Sequence, residues 1–358
     1  MNTELDDHFM RRTFTLLKPF KKPPSPNPSV ACLIVKNRQI IGKGVHLAPG
    51  SPHAEIIALR TAGVFAKGAD VYVNLEPCCH HGRTPPCVNA LIKAGVKRVI
   101  CAMTDPNPLV KGRGILALHD HGIVVVNNVC NAQACHLNRF FVHFIQHKKP
   151  FVIAKWAMSL DGKMITAKSD KRQLSNKQSI KQAHAFRQKV DAILIGSETA
   201  IQDNPMLTTR YQDSGTTHHP LRIVLDSRAR LPTSLTLLTG QLPGKTLVVT
   251  TNKAKPNWIK RLRERGNQVW VLPTDDEQHI SLVALLDKLG EHNIMSLLVE
   301  GGAICRDAFF NEGLVNEVHS FISPHIIASL AHKQTLEKIS SDEFKQDHFF
   351  QFSMENTL

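Results

Sequence analysis

His53 and Glu55 stand two residues apart in SPHAEIIAL, at the start of a segment with helical spacing, and EPCCHHGRTPPC farther on supplies Cys78 and Cys87. One imidazole and two thiolates would hold a tetrahedral Zn²⁺ with one position open, the pattern of a catalytic rather than a closed structural site. Water in that position has its pKa lowered to near 7, and a carboxylate close to the ligating histidine can move its proton to a leaving amine. Glu55 is the candidate for that work. Taken singly the fragments are ordinary: a buried Cys is usually a small hydrophobe, and HGRTPP alone is a turn-rich loop. Their order along the chain makes the case, although Cys79, His80 and His81 are rival ligands.

A second constellation lies far downstream. LVEGGAICRDAFF reads as a strand running into a Gly pair and then a helix, and backbone N–H groups at such a helix start can hold a phosphate. No G-x-G-x-x-G follows a first strand, so the standard dinucleotide fingerprint is missing.

The elements that must carry these residues alternate in type. VACLIV (30–35), VYVNL (71–75), VKRVICAM (96–103) and GIVVV (122–126) read as buried strands. Segments 54–66, 87–95 and 113–122 have amphipathic helical spacing, the last two with glycine stops. The basic stretch QHKKP ends this pattern, which places a domain boundary there: one domain at 1–148, a second at 149–358. The second half alternates again, with strands DAILIG, LRIVLDS, KTLVVTT, QVWVLP and IMSLLVEGG and helices near 176–188, 257–265, 280–289 and 303–312. Two α/β domains are predicted. Beyond about residue 330 the pattern is too weak to read.

Length and composition agree with that division. The chain has 358 residues, 42% hydrophobic and 21% charged, which excludes collagenous, coiled-coil and wholly disordered classes. No apolar run is long enough to span a bilayer and the start lacks a basic–apolar leader, so the expected compartment is the cytoplasm, with no membrane partner. Lys and Arg outnumber Asp and Glu by 19 to 8 up to residue 149 and by 25 to 22 beyond it. That field favours an anionic ligand, a phosphorylated metabolite or nucleic acid. Seven of the eight cysteines precede residue 136, which in a reducing compartment suggests metal or catalysis rather than disulfides.

H-x-E followed by P-C and a second Cys is the order of zinc deaminases, but here the spacing is P-C-x₈-C instead of P-C-x-x-C. With PNPSVACLIV, HLAPGSPHAE, EPCCHHGRTPPC and DPNPLVKGRG, this longer loop resembles the bifunctional riboflavin-biosynthesis deaminase/reductase (RibD) family over nearly all of residues 5–147. The resemblance implies a cytidine-deaminase-like three-layer α/β/α fold and hydrolytic deamination of a phosphoribosylated diaminohydroxypyrimidine. Carried over by position, zinc would be held by His53, Cys78 and Cys87, with Glu55 moving the proton. Asn27, His46 and His80 would contact the pyrimidine, and Arg83, Asp105 and Asn107 would face the ribose phosphate. A guanidinium fork suits a phosphate at Arg83. Ala31 stands where the family usually has Gly, and Cys79 where it usually has Ser.

AKWAMSLDGK, FRQKVDAILIGSETAIQDNPMLTTR, RIVLDS and LLVEGG resemble the reductase half of the same family over about 150–325, a dihydrofolate-reductase-like α/β fold that binds NADPH. The resemblance implies hydride transfer to the ring-opened ribose of the phosphoribosylaminouracil. Ala157, Thr199, Asp203, Ser227, Gly301, Gly302, Ala303, Ile304, Cys305, Arg306 and Asp307 would line the cofactor. Arg187, Leu207, Arg210 and Glu300 would line the substrate, the two arginines meeting its phosphate. AKSDKRQLS departs from the family's pattern at Lys171 and Gln173, and HIIAS follows Pro324 where a Gly-rich turn is usual. These departures and Cys79 support a second reading, a divergent paralogue with an active deaminase and an impaired reductase. A third, a nucleic-acid-directed zinc deaminase, rests on the basic first half, which has few aromatics for base stacking, Tyr72 being placed in a strand. The substrates expected are small pyrimidine ribotides, and the family's habit implies association of like chains.

Overall fold

The computed structural model describes residues 3–20, 22–82, 85–159, 162, 164, 177–210, 217–323 and 348–353. Arg83, Lys171, Gln173 and the HIIAS segment lie outside the described residues. The chain divides into two compact units, Met1–Lys149 and Pro150–Leu358.

In the first unit, α1 (Thr3–Leu17) precedes the hairpin β1 (Ala31–Lys36) and β2 (Gln39–Val45), followed by α2 (Ala54–Ala62), β3 (Asp70–Val73) and α3 (Cys87–Ala94). Then come β4 (Arg98–Cys101), α4 (Arg113–Asp120), β5 (Val124–Val126), α5 (Asn131–Leu137) and α6 (Arg139–His147). The strands lie in the order β2-β1-β3-β4-β5, antiparallel at the hairpin and between β1 and β3, parallel beyond.

Register shows that helices cover both faces of this sheet. Leu33 pairs with Tyr72, whose ring lies 5.2 Å from Phe9 of α1 and whose hydroxyl donates to Asp6 at 2.8 Å. The alternate positions Cys32 and Ile34 pair with Gly44 and Gly42, which face the other way, against α2. A Cβ on Gly44 would come within 2.0 Å of the Ala54 carbonyl oxygen, and one on Gly42 within 2.4 Å of that of Ala58. Backbone therefore touches backbone, and α2 seats its alanines on the strand. Ala31 begins β1 fully buried without a positive φ, so the methyl in place of a hydrogen costs no backbone strain.

Helix α3 starts directly after Pro86 and ends at Gly95 in the left-handed region (φ 65°), as the glycine stop predicts. The helix expected over 54–66 ends instead at Ala62, and a 3₁₀ turn covers 63–66. The reading in the sequence gave no place to α1, β2, α5 or α6.

The second unit begins with β6 (Phe151–Ser159), α7 (Lys177–Lys189), β7 (Ala192–Gly196), α8 (Ser197–Asp203), β8 (Leu221–Leu225) and β9 (Thr246–Thr250). It continues with α9 (Pro256–Glu264), β10 (Gln268–Val271), α10 (Leu282–Glu291), β11 (Ser296–Val299), α11 (Ala303–Asn311), β12 (Glu317–Ser323) and β13 (His348–Ser353). Among the described residues the strand order is β10-β9-β8-β7-β11-β6-β12-β13. Among the described residues of this sheet only the β12–β13 pair is antiparallel. Helix α10 buries Leu282, Leu285, Leu286 and Leu289, a single stripe, against Leu194, Ile223, Leu247, Val249 and Leu297. Ser281 caps it by accepting from the Ala284 N–H at 3.3 Å. The chain leaves β7 outward through β8, β9 and β10, and β11 returns between β7 and β6. Such a reversal opens a crevice at the carboxyl ends of the strands. No helix among the described residues is long and apolar enough to cross a membrane.

Candidate active sites

His53 is the residue before α2, held extended (φ −69°, ψ 159°), and Glu55 falls in the first helical turn. Cys87 opens α3, and Cys78 sits in the loop that follows β3. The Cys87 and Val88 N–H groups donate to the sulfur and carbonyl oxygen of Cys78 at 3.4 and 3.2 Å, so the start of α3 fixes both thiols together. His53 Nδ1 lies 3.2 Å from Cys87 Sγ and 3.5 Å from Cys78 Sγ, and the three donor atoms all lie within 4.8 Å of one another. Zinc–sulfur and zinc–nitrogen bonds of roughly 2.3 and 2.1 Å set tetrahedral edges of about 3.6 Å. The donor set fits a zinc ion in type, number and spacing.

The Cys78 thiol is pulled down to about 4, first by the Cys87 thiol that donates to it, while Cys87 is held protonated by that same neighbour. Hydrogen bonding to Cys78 raises His53 in turn. Glu55 is 4% exposed; burial, then the charge of Cys78, pushes its carboxyl up to about 7. Cys79 turns elsewhere and donates to the Leu109 carbonyl oxygen at 3.8 Å. Among the described residues His53, Cys78 and Cys87 form the cluster, and none of the rivals joins it.

A cavity of about 370 Å³ opens beside these donors, lined by His53, Glu55 and Cys78 and also by Asn27, His46, His80, Asp105 and Asn107. Sequence positions far apart thus meet in one place. Asn27 Nδ2 lies 2.9 Å from His46 Nε2, and His46 Nδ1 lies 3.3 Å from the Pro52 carbonyl oxygen. An amide nitrogen can only donate, so Nε2 accepts and Nδ1–H donates to Pro52. Burial lowers the pKa of His46, in keeping with a neutral ring. The histidine thereby fixes the orientation of the Asn27 amide. His80 Nδ1 is buried without a hydrogen-bond partner among the described residues, as expected of a group that waits for a ligand. Asp105 is pushed up to about 6 by burial, and its Oδ1 accepts from the Asn107 N–H at 2.8 Å.

Residues that the sequence reading passed over complete this site. Phe141 of α6 lines the cavity. Asn74 and Asn138 hold the backbone of Ser29 and Ala31 from two sides, with bonds of 2.7 to 3.2 Å, and so fix the segment that bears Asn27. Glu76 accepts from the N–H groups of Asp105, Gly112, Gly114 and Ile115. A local signal existed only for Asn138, whose residue type favours the break between two helices. Tyr72 is 1% exposed, so it offers no stacking surface.

In the second unit, Gly196, Ser227 and Glu300 stand just at or past the carboxyl ends of β7, β8 and β11, at the crevice. Thr199 Oγ1 accepts from the Gly302 N–H at 3.0 Å, which ties α8 to the start of α11. A Cβ on Gly301 would lie 2.7 Å from that of Cys305, so the backbone approaches the helix closely there. Gly302 spends its N–H on Thr199, leaving the next N–H groups of the first turn for an anion. Arg306 lies over the Trp156 ring at 5.4 Å and pairs with Asp307 at 2.7 Å. Ser227 Oγ accepts from the Ile280 N–H, Ala157 pairs with Phe321 in the sheet, and Asp203 and Ile304 are exposed.

Arg187 clamps Glu300 with two bonds, Nε to Oε1 at 3.1 Å and Nη2 to Oε2 at 2.6 Å, and reaches the Thr208 carbonyl oxygen at 3.3 Å. Burial works against the ionised carboxyl, but the Lys155 and Arg187 charges hold Glu300 down to about 2. The fork of Arg187 is thus occupied by a carboxylate, a partner that sequence spacing could not show. Arg210 is exposed while its N–H donates to His184 Nδ1 at 3.2 Å, and Leu207 is buried with a positive φ of 52°.

Comparison with known proteins gives a consistent result for both units. The family model described as RibD C-terminal domain matches residues 150–358, and that described as cytidine and deoxycytidylate deaminase zinc-binding region matches 3–103. The riboflavin biosynthesis protein RibD of Aquifex aeolicus is 40% identical over 91% of this chain and 89% of its own length. That of Escherichia coli K12 is 36% identical over 90% and 89%. The structure of Acinetobacter baumannii RibD superposes with a TM-score of 0.85 at 32% identity, covering 98% of this chain and 99% of that one. A Thermotoga maritima structure, described as a diaminohydroxyphosphoribosylaminopyrimidine deaminase/5-amino-6-(5-phosphoribosylamino)uracil reductase, has a TM-score of 0.80 at 31% identity over 92% and 89%. With both units matched and relatives of 36–40% identity aligned over 90–91% of this chain and 89% of their own length, the chain belongs to the RibD family of riboflavin biosynthesis proteins.

Proposed function

We propose that residues 1–148 deaminate a phosphoribosylated diaminohydroxypyrimidine and residues 149–358 reduce the ribosyl chain of the resulting phosphoribosylaminouracil with NADPH. The observation that carries the reading is the convergence of the His53, Cys78 and Cys87 donor atoms within 4.8 Å of one another, at a cavity lined by His53, Cys78 and buried Glu55. His53, Cys78 and Cys87 would hold the zinc, which when bound supplies the Lewis acidity that makes water nucleophilic near neutral pH. Glu55 takes a proton from the attacking water and returns it to the departing amino nitrogen. Water adds across the ring C=N that bears the amino group; one of its protons leaves with the amino nitrogen as ammonia and the other stays on the ring nitrogen, so the product is a lactam and the carboxyl ends as it began. A carboxyl whose pKa burial raises above its ordinary range suits both halves of that transfer. Asn27 and His80 orient the pyrimidine, and Asp105, Asn107 and Arg83 hold the ribose phosphate end.

In the second unit NADPH supplies the hydride when bound. Thr199, Ser227 and the stretch Gly301 to Asp307 position the cofactor, with Ala157 and Asp203 beside it. Glu300, Arg187, Leu207 and Arg210 form the substrate side, the Arg187–Glu300 clamp fixing both side chains. The same reading places the enzyme in the cytoplasm, where its thiols stay reduced, as an assembly of like chains. Glu55→Gln tests the first site: ammonia release should fall by a factor of about 10³ or more, as loss of a general acid–base group implies, with zinc still one per chain by metal analysis. Turnover near the wild-type rate in zinc-loaded Glu55→Gln would refute the assignment.

A further inference from the structure

The loop between β4 and α4 carries Asp105 and Asn107, yet little holds it from within. Asp105 and Asn107 form successive turns on the N–H groups of residues 107 and 109. Helix α4 then begins after Gly112, which has no side chain to cap it, so its first N–H groups need partners from elsewhere. Glu76 supplies them. Its Oε2 accepts from Asp105 N at 3.1 Å and Gly112 N at 3.0 Å, and its Oε1 from Gly114 N at 2.9 Å and Ile115 N at 3.2 Å. The carboxylate is 3% exposed, both oxygens are taken, and the helix dipole favours its charge. Its own N–H donates to the Met103 carbonyl oxygen at 2.9 Å. Only glycine fits at 114, since a Cβ there would lie 2.2 Å from the Pro77 carbonyl oxygen and 3.1 Å from Glu76 Oε1.

Pro77 alone separates Glu76 from Cys78. One short stretch of chain therefore ends in a metal-ligating thiol and begins with the anchor of the loop opposite. We infer that Glu76 is a positioning residue that fixes the distance between the metal centre and the loop bearing Asp105 and Asn107, so that a substrate held by its ribose phosphate presents its amino-bearing carbon at the zinc. The inference rests on the proposed reading that Asn107 meets the ribose phosphate end. It differs from a purely architectural role because it ties Glu76 to binding of the remote end of the substrate rather than to the fold or to the metal.

The test is a double-mutant cycle on ammonia release from the phosphoribosylated diaminopyrimidine. Glu76→Gln sets an amide NH₂ against two of the four donors and should raise KM at least tenfold, with kcat within threefold and zinc still one per chain. Asn107→Ala should also raise KM. The double variant should raise it no further than the larger single effect, because the loop that Glu76 releases no longer presents residue 107. Additive effects, an unchanged KM in Glu76→Gln, or loss of zinc or kcat with KM preserved would overturn the inference. If Glu76→Gln leaves KM alone while Asn107→Ala raises it, the site reading survives and the role of Glu76 falls. If Asn107→Ala has no effect, the site reading itself fails and takes the inference with it. Should Glu76→Gln not fold, amide exchange in the wild-type protein decides: the N–H groups of 105, 112, 114 and 115 must exchange together and slowly, and fast exchange of any pair is fatal to the idea.

Discussion

At the scale of single residues, charge burial in the second unit makes a prediction about acid. Glu300 is held down to about 2 in the folded protein, against burial, by Lys155 and Arg187, whereas an unfolded carboxyl titrates near 4.5. The folded state thus binds fewer protons. The stabilisation is complete above pH 4.5 and is lost as pH falls from there toward 2, on the order of 3 kcal/mol in all. His184 acts in the same direction one window higher: burial, then the Arg187 and Arg210 charges, pushes it down to about 4 from 6.5, so its share is present above pH 6.5 and is lost between 6.5 and 4. Tryptophans 156, 258 and 270 all lie in the second unit, so fluorescence-detected urea unfolding isolates that unit. Its midpoint should drop steadily from pH 7 to 4 and more steeply below. In Glu300→Gln, already weaker at neutral pH because Arg187 is left without its carboxylate, the lower limb should flatten. A wild-type midpoint that rises or stays level on acidification would contradict these pairings. The Cys78–Cys79 doublet teaches a related lesson: two adjacent thiols have opposite fates because only one faces the α3 N-terminus, while its neighbour bonds to Leu109.

At the scale of elements, the metal centre depends on where α2 lies, and α2 lies where β2 lets it. Gly44→Ala drives a Cβ to 2.0 Å from the Ala54 carbonyl oxygen, backbone against backbone, with no flexible side chain to yield. Overpacking of that kind costs about 1–3 kcal/mol or more, and the helix that shifts bears His53 and Glu55. Gly44→Ala should lower zinc content and ammonia release together while NADPH oxidation with the aminouracil ribotide continues; full zinc occupancy would mean that α2 is seated by other contacts. Much of this framework was legible. Buried strands announce themselves as apolar runs, and α3 and α10 show clean stripes with glycine or serine punctuation. Strand β2 was not legible, because QIIGKGV interrupts its pattern with glycines that serve the helix above rather than the strand. Helix α1 was hidden by its charged and polar residues, and its buried Asp6 makes sense only beside Tyr72 and Arg98. In the sites, ligand types and order could be read from motifs. Glu76, Asn74 and the Arg187–Glu300 clamp could not, since each acts on backbone or side chains brought close only by folding, and no local spacing encodes that.

At the scale of the whole molecule, each unit has a core of its own: one cluster of buried side chains runs from Phe9 to Ala134 and another from Val152 to Val318. Ligands that bind only the native state raise its stability by mass action, and here the two proposed ligands fall on different units. On the proposed reading zinc would be held by residues 53, 78 and 87, and NADPH by the crevice at the ends of β7, β8 and β11. Removal of zinc by a strong chelator should therefore lower a transition seen by far-ultraviolet circular dichroism and leave the tryptophan-detected transition in place. Saturation with NADP⁺ at about a hundredfold excess over its dissociation constant, worth about 2.7 kcal/mol, should raise the tryptophan-detected transition by roughly 5–10 °C and leave the other in place. If chelator and cofactor moved both probes by the same amount, the two cores would unfold as one cooperative block, and the assignment of one ligand to each unit would have to be argued from something other than stability. Separate shifts would mean that the zinc site can be lost without the reductase. That outcome is required if Gly44→Ala is to lose zinc and ammonia release while NADPH oxidation continues.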